Sequence, residues 1–208
     1  MRKVWRVFLA VALLFLWTAE ACAHSPIFLA GRLPPGVHER APIRDVERSW
    51  AVYGRLGPGA SADLIPLTVE KGQEIYLQLL IPQAGDPAQV CPKAVLIGPG
   101  LPNRQYVTDT TVTQALAQLA AQTEGTLVLP NSKAKESLYE GFTQVRYWVC
   151  GEFTAKAPAS AAYRLFLYDP SARGGPYTLA IGRREQFGLV DFLTFPLIWT
   201  RVHVWLWK

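Results

Sequence analysis

From Trp50 to Ile181 the chain is a succession of short apolar runs, each stopped by glycine or proline, and this punctuation most constrains its fold. Trp50–Leu56 is closed by Gly57-Pro58-Gly59, and Leu64–Val69 is followed by Glu70-Lys71-Gly72-Gln73 and then Ile75–Ile81. Lys93–Ile97 ends at Gly98-Pro99-Gly100-Leu101-Pro102. Further runs occupy Thr126–Leu129, Thr143–Cys150, Tyr163–Tyr168 and Tyr177–Ile181, with Asp169-Pro170 and Gly174-Gly175-Pro176 marking a last hairpin. β-Branched and aromatic residues suit a pleated surface, while Gly and Pro supply the backbone angles of turns. One stretch differs: in 113–123, Ala115, Leu116, Leu119 and Ala120 recur at the spacing of a helix face. The expectation is a mostly β, single antiparallel sandwich, jelly-roll-like, with one short helix. No repeat or linker divides the chain, and residues 24–48 read as an extended arm in which Ile27, Phe28 and Leu29 seek burial.

The first residues predict export. Arg2, Lys3 and Arg6 precede the apolar run Val7–Trp17, and Ala21-Cys22-Ala23 offers the small-x-small pattern of signal cleavage, with the cut before His24. A lipid-modified Cys22 is the alternative, opposed by Ala19 and Glu20. Removing 23 of the 208 residues, three of them basic and one acidic, leaves 185 residues and takes the net charge from +5 to +3. No Lys/Arg cluster appears, which argues against nucleic acid as a partner. The remaining cysteines, Cys91 and Cys150, are most simply a disulfide in an exported chain. Two free thiols or a soft-metal site are the other readings. The organisation expected is a signal peptide over 1–23, a sandwich with its arm over 24–186, and an aromatic tail over 187–208.

Cleavage before His24 would give one residue both an α-amino and an imidazole nitrogen, a pair suited to copper. The alternative is an accident of where the peptidase cuts. The other metal candidates are Glu140, which could equally cap a turn or pair with Arg146, and His38, in an exposed loop. His203 lies in the tail beside Arg201. No Gly-x-Ser-x-Gly elbow, His-Glu-x-x-His or phosphate loop is present, so nothing argues for an enzyme.

The tail mixes Phe187, Phe192, Phe195, Trp199, Trp205 and Trp207 with Leu, Val and Ile, interrupted by Asp191, Pro196, Arg201 and His203. Indole rings favour the membrane–water boundary, so Trp199, Trp205 and Trp207 are binding candidates for a membrane surface or envelope protein. Equally, the tail could pack over an open face of the sandwich, and Arg201–Trp207 alternates like a final strand. Trp50, Tyr147 and Trp148 could form a sugar-stacking platform or belong to the core.

Tyr53–Leu56, Asp63–Gly72, Tyr163–Tyr168 and Gly175–Leu179 together resemble the bacterial pre-peptidase C-terminal β-sandwich. Ala23–Pro26, Ser49–Gly54, Gly98–Leu101, Tyr139–Thr143, Tyr147-Trp148, Tyr177–Gly182 and Glu185–Gly188 resemble an uncharacterised family of exported bacterial and archaeal proteins. That family has Pro where this chain has Gly141. The resemblance implies the fold and says little of function. The functional expectation is a non-enzymatic binding or accessory protein at the cell envelope, periplasmic or extracellular, placed by its tail. The alternative is copper binding at His24.

Overall fold

The computed structural model describes residues 24–29, 33–84, 89–102, 111–122, 125–130, 136–186 and 189–207. The signal-peptide reading of 1–23 lies outside them. Two sheets pack face to face. The first has strand order β1 (Ser25–Phe28), β3 (Trp50–Leu56), β11 (Gly175–Ile181), β5 (Glu74–Pro82), β9 (Val145–Lys156), β8 (Glu136–Glu140). The second runs β2 (Gly36–Glu39), β4 (Ser61–Val69), β10 (Ala161–Tyr168), β6 (Lys93–Ile97), β7 (Thr126–Val128). The described residues also form helices α1 (Thr111–Ala121) and α2 (Leu189–Trp207).

The expected sandwich is present, with one departure from antiparallel pairing. The N-terminal arm is not merely extended: it supplies an edge strand to each sheet, and both pair in parallel, β1 with β3 and β2 with β4. The arm runs alongside strands that come after it by long connections, and such connections permit parallel pairing.

Val52, Leu56, Leu67, Leu77, Leu79, Leu96, Leu165 and Leu179 are among the side chains filling the space between the sheets. The alternate residues of several strands are buried as well. On the second sheet Leu64, Val95 and Phe166 are covered by Leu116 of α1. On the first, Ala51, Tyr53, Leu80 and Tyr147 form a cluster with Val202 of α2. The result is helix, sheet, sheet, helix. Strands covered on both faces read as continuous apolar runs, which is why strict alternation is missing from the sequence.

The tail is therefore neither a strand nor a loose segment. Residues 201–207, which alternate in sequence, belong to α2. Among the described residues no helix is long and apolar enough to cross a membrane.

The disulfide Cys91–Cys150 joins the lead into β6 of the second sheet to β9 of the first, with the Cα atoms 5.4 Å apart. Leu80 pairs with Val149 and Leu79 with Gly151, so Cys150 is the extra residue of a β-bulge. Cys150 points into the inter-sheet core with Trp148, whereas Tyr147 and Val149 face the α2 side.

Candidate functional site

The outer face of the first sheet carries a hollow that α2 does not fill. Its floor is set by strand register: Ala51 of β3 pairs with Ala180 of β11, and Ala180 with Gln78 of β5. Two adjacent alanines leave the space that larger side chains would occupy. The next row, Tyr53, Thr178 and Leu80, forms one wall. Tyr147 and Leu138, paired between β9 and β8, form another, with Glu140 and Phe142 at the hairpin end. The cavity measures about 50 Å³, with His24 at its β1 edge.

Strand β1 anchors His24 at that edge. The Ser25 amide donates to the Ser49 carbonyl at 2.8 Å, and Arg48 Nη2 donates to Ser25 Oγ at 2.7 Å. Two residues on from Pro26, Phe28 stacks on Tyr53 with ring centroids 5.0 Å apart. Alternation along β1 sets His24 on the side of Pro26 and Phe28, facing the cavity.

Glu140 is a turn cap. Its Oε1 accepts from the Phe142 amide at 2.8 Å, and its Oε2 accepts from the Thr143 amide at 2.8 Å and from the Thr143 hydroxyl. The turn is closed by Gln144 in the left-handed region, φ 60°. Arg146 does not pair with Glu140 in the described contacts; its guanidinium lies over the Tyr139 ring. The carboxylate thus brings a negative charge to the cavity while its oxygens hold the turn.

Burial raises the Tyr53 phenol well above its ordinary value, and Tyr147 and Glu140 add to this, with the Thr143 hydroxyl opposing. Tyr147 is raised by burial and by Glu140, with the Thr178 and Thr143 hydroxyls opposing. Both are neutral donors at physiological pH. The Tyr147 hydroxyl and Thr178 Oγ1 are both buried and are each other's polar neighbours.

Of the metal candidates, His24 and Glu140 line one cavity and His38 does not. His38 sits on β2 of the other sheet and donates through Nε2 to the Pro34 carbonyl at 2.7 Å. Its position on an exposed edge strand separates it from His24. Among the described residues no three His, Cys, Asp or Glu side chains gather as a metal site. His203 stacks on Trp199, centroids 3.7 Å apart, and its Nδ1–H donates to the Trp199 carbonyl.

The three tail tryptophans have different surroundings. Trp205 packs edge-on against Tyr53 at 5.2 Å, Trp199 is half-buried, and Trp207 is 79% exposed. The exposed apolar side chains of α2 besides Trp207 are Leu193, Leu197 and Val204, which sequence reading did not single out. The sugar platform is not there. Tyr147 is buried in the α2 cluster, while Trp50 and Trp148 pack on the inter-sheet core.

No protein-family model matches the chain. No curated protein matches it in sequence either. Among solved structures it is similar to a periplasmic inhibitor of g-type lysozyme, PliG, from Aeromonas hydrophila, at 16% identity and TM-score 0.41, covering 72% of this chain and 98% of that one. It is also similar to PliG of Salmonella Typhimurium, at 14% identity and TM-score 0.34, covering 77% and 98%. The pre-peptidase C-terminal domain of a Bacillus anthracis collagenase gives 14% identity and TM-score 0.33, covering 71% and 95%. At these identities and scores, no property of those proteins passes to this chain. What does bear on the site is internal. His24, Ala51, Tyr53, Glu140, Phe142, Tyr147, Thr178 and Ala180 all line the cavity. Gln78, Leu80 and Leu138 complete its lining.

Proposed function

We propose that this is a non-enzymatic exported binding protein of the cell envelope, held against a membrane surface by the outer stripe of α2. The observation that carries this is a helix apolar on two sides. Ile198, Val202, Trp205 and Leu206 pack on the sheet. Leu193, Leu197, Val204 and Trp207 are exposed, spaced so that they lie along one face of the helix. A helix of a soluble domain needs one apolar face, and a second one gains by being covered. A lipid surface is favoured over a protein groove by the terminal Trp207 and by the positive charge of the chain.

The test is co-sedimentation with phosphatidylcholine vesicles with and without phosphatidylglycerol. The intact protein is expected in the pellet, more so with the anionic lipid. The triple variant Leu193→Ser, Leu197→Ser, Trp207→Ser is expected in the supernatant with an unchanged melting temperature. A wild-type protein that stays in the supernatant with both vesicles overturns the reading.

Copper binding at His24 is a second reading, favoured by one observation: residue 24 precedes a hydrogen-bonded strand residue and faces a cavity, where chain termini ordinarily fray. Copper titration of protein whose mass places its first residue at His24 tests it. His24→Ala is expected to abolish tight uptake, and uptake unchanged in that variant removes the reading.

A further inference from the structure

We propose that Arg201 of α2 is the headgroup contact of the docked protein, taking the phosphodiester of an anionic phospholipid at the edge of the apolar stripe. This rests on the membrane reading of α2 and assigns the residue that selects the lipid.

Helical spacing fixes where Arg201 stands. It follows Leu197 by four residues and precedes Val204 by three, so it neighbours both on the helix surface. On the other side of the stripe, His203 follows Trp199 by four residues and precedes Trp207 by four. The apolar stripe is thus bordered by Arg201 on one flank and by the stacked Trp199–His203 pair on the other. A helix is about 10–12 Å across with its side chains, and an interfacial helix sinks its apolar face roughly 5–10 Å. Both flanks then come to rest among the headgroups, where indole rings and cations are favoured.

Charge decides which lipid. Arg201 is exposed, and its guanidinium lies 4.2 Å from the centre of the Phe28 ring. Phe28 stacks in turn on Tyr53, and Tyr53 meets Trp205 edge-on, so aromatic rings anchored on the sheet hold the cation in place. Among the described residues Arg40, Arg183 and Arg184 are paired with carboxylates, whereas Arg201 forms no ion pair. No carboxylate occurs between Leu193 and Trp207 to compensate it within the helix. A ring engages one face of a guanidinium and leaves N–H donors for a phosphate, which they can grip two at a time. Phosphatidylcholine balances its phosphate with its own cation, so the contact gains most from a lipid that carries net negative charge.

Partition of the intact protein onto phosphatidylcholine vesicles with and without phosphatidylglycerol measures the preference. The wild type is expected to bind both, and the anionic vesicles more tightly. Arg201→Gln is expected to bind phosphatidylcholine as the wild type does and to lose about fivefold on the anionic vesicles, the worth of one basic residue at such a surface. Arg201→Glu is expected to prefer phosphatidylcholine alone. Lys71→Gln removes a positive charge from the turn before β5, roughly 20 Å along that strand from Leu80 beneath α2. That distance exceeds the reach of a screened charge, so this variant is expected to behave as wild type. Both positions are exposed, and melting of each variant checks that it folds. An anionic preference kept by Arg201→Gln or Arg201→Glu, or lost equally in Lys71→Gln, overturns the assignment and leaves the docking of α2 intact. So does a wild type that binds both vesicles alike. A wild type that stays in the supernatant with both overturns the docking and the assignment together.

Discussion

Tyr177 of β11 lies directly across from Gly54 of β3 and spreads its ring over that glycine, donating its hydroxyl to Asp63 Oδ2 in the opposite sheet at 2.6 Å. Arg40, just past β2, donates through Nε to Asp63 Oδ1 at 2.7 Å. The Arg40 and Asp63 side chains are only 7% and 2% exposed. One buried carboxylate therefore ties together both sheets and the N-terminal arm. A buried charge is tolerable only while its partners stay in place.

Substitution at Gly54 tests that arrangement. A Cβ there would overlap the Tyr177 ring, so Gly54→Ala is expected to cost about 1–3 kcal/mol, as other overpacked cores do. Gly141→Ala, where nothing lies within 4 Å, is expected to stay within about 0.5 kcal/mol of wild type. Asp63→Ala, which strands Arg40, is expected to cost about 3–5 kcal/mol. Urea melts of the three variants rank them, and a silent Gly54→Ala would show that the Tyr177 ring can move aside.

The strands around this triad were legible because turn residues bracket them: Trp50–Leu56 is the strand read from sequence, and 113–123 proves helical over Thr111–Ala121. Glu136–Glu140 was missed because Glu136, Ser137 and Glu140 give this edge strand no apolar run to announce it. The tail was ambiguous because α2 is apolar on both sides, and a two-sided pattern erases the helical period. His24 and Glu140, singled out for their chemistry, both line the cavity. Tyr53 and Thr178, which line it too, gave no such signal, because only strand register brings residues so distant in sequence onto one face.

The disulfide closes a loop with a sequence separation of 59. On the loop-entropy account this contributes about 4 kcal/mol, by restricting the unfolded chain. Reduction, or Cys91→Ala with Cys150→Ala, is expected to lower the melting temperature by about 8–16 °C, at 2–4 °C per kcal/mol for a domain of this size. Comparing oxidised and reduced protein by calorimetry measures it. A shift of only a degree or two would mean that the β9 bulge and the lead into β6 are held together without the bond.

Stability should also fall in alkali. The phenols of Tyr53, Tyr147 and Tyr177 are all raised, first by burial. Each keeps its proton in the fold after the unfolded chain, titrating near pH 10, has begun to lose it. Their contribution is complete below about pH 10 and is lost as pH climbs toward the folded values, each group at up to about 1.4 kcal/mol per pH unit. Tyr147→Phe is expected to flatten the decline above pH 10, since the phenol that would have to ionise in the core is gone. Urea midpoints between pH 8 and 11 give the slopes, and equal slopes in wild type and variant would contradict the burial account.

Two faces of α2 should separate stability from docking. Val202 is fully buried against the sheet, so Val202→Ala is expected to cost about 2 kcal/mol. Arg55 donates through Nη2 to the Trp205 carbonyl at 3.0 Å, and Phe195 meets Phe142 at 4.4 Å, so the helix is fixed at several points along its length. Deleting 187–208 is expected to expose Tyr53, Leu80 and Tyr147 and to drive the protein toward aggregation, not merely to release it from membranes. Leu193→Ser and Leu197→Ser touch only the outer stripe and are expected to leave the melting temperature within about 2 °C, consistent with exposed sites. Melting and light scattering of the four proteins decide the matter. A soluble, fully folded truncation would mean that α2 is an appendage, and the buried face described for it would lose its structural meaning.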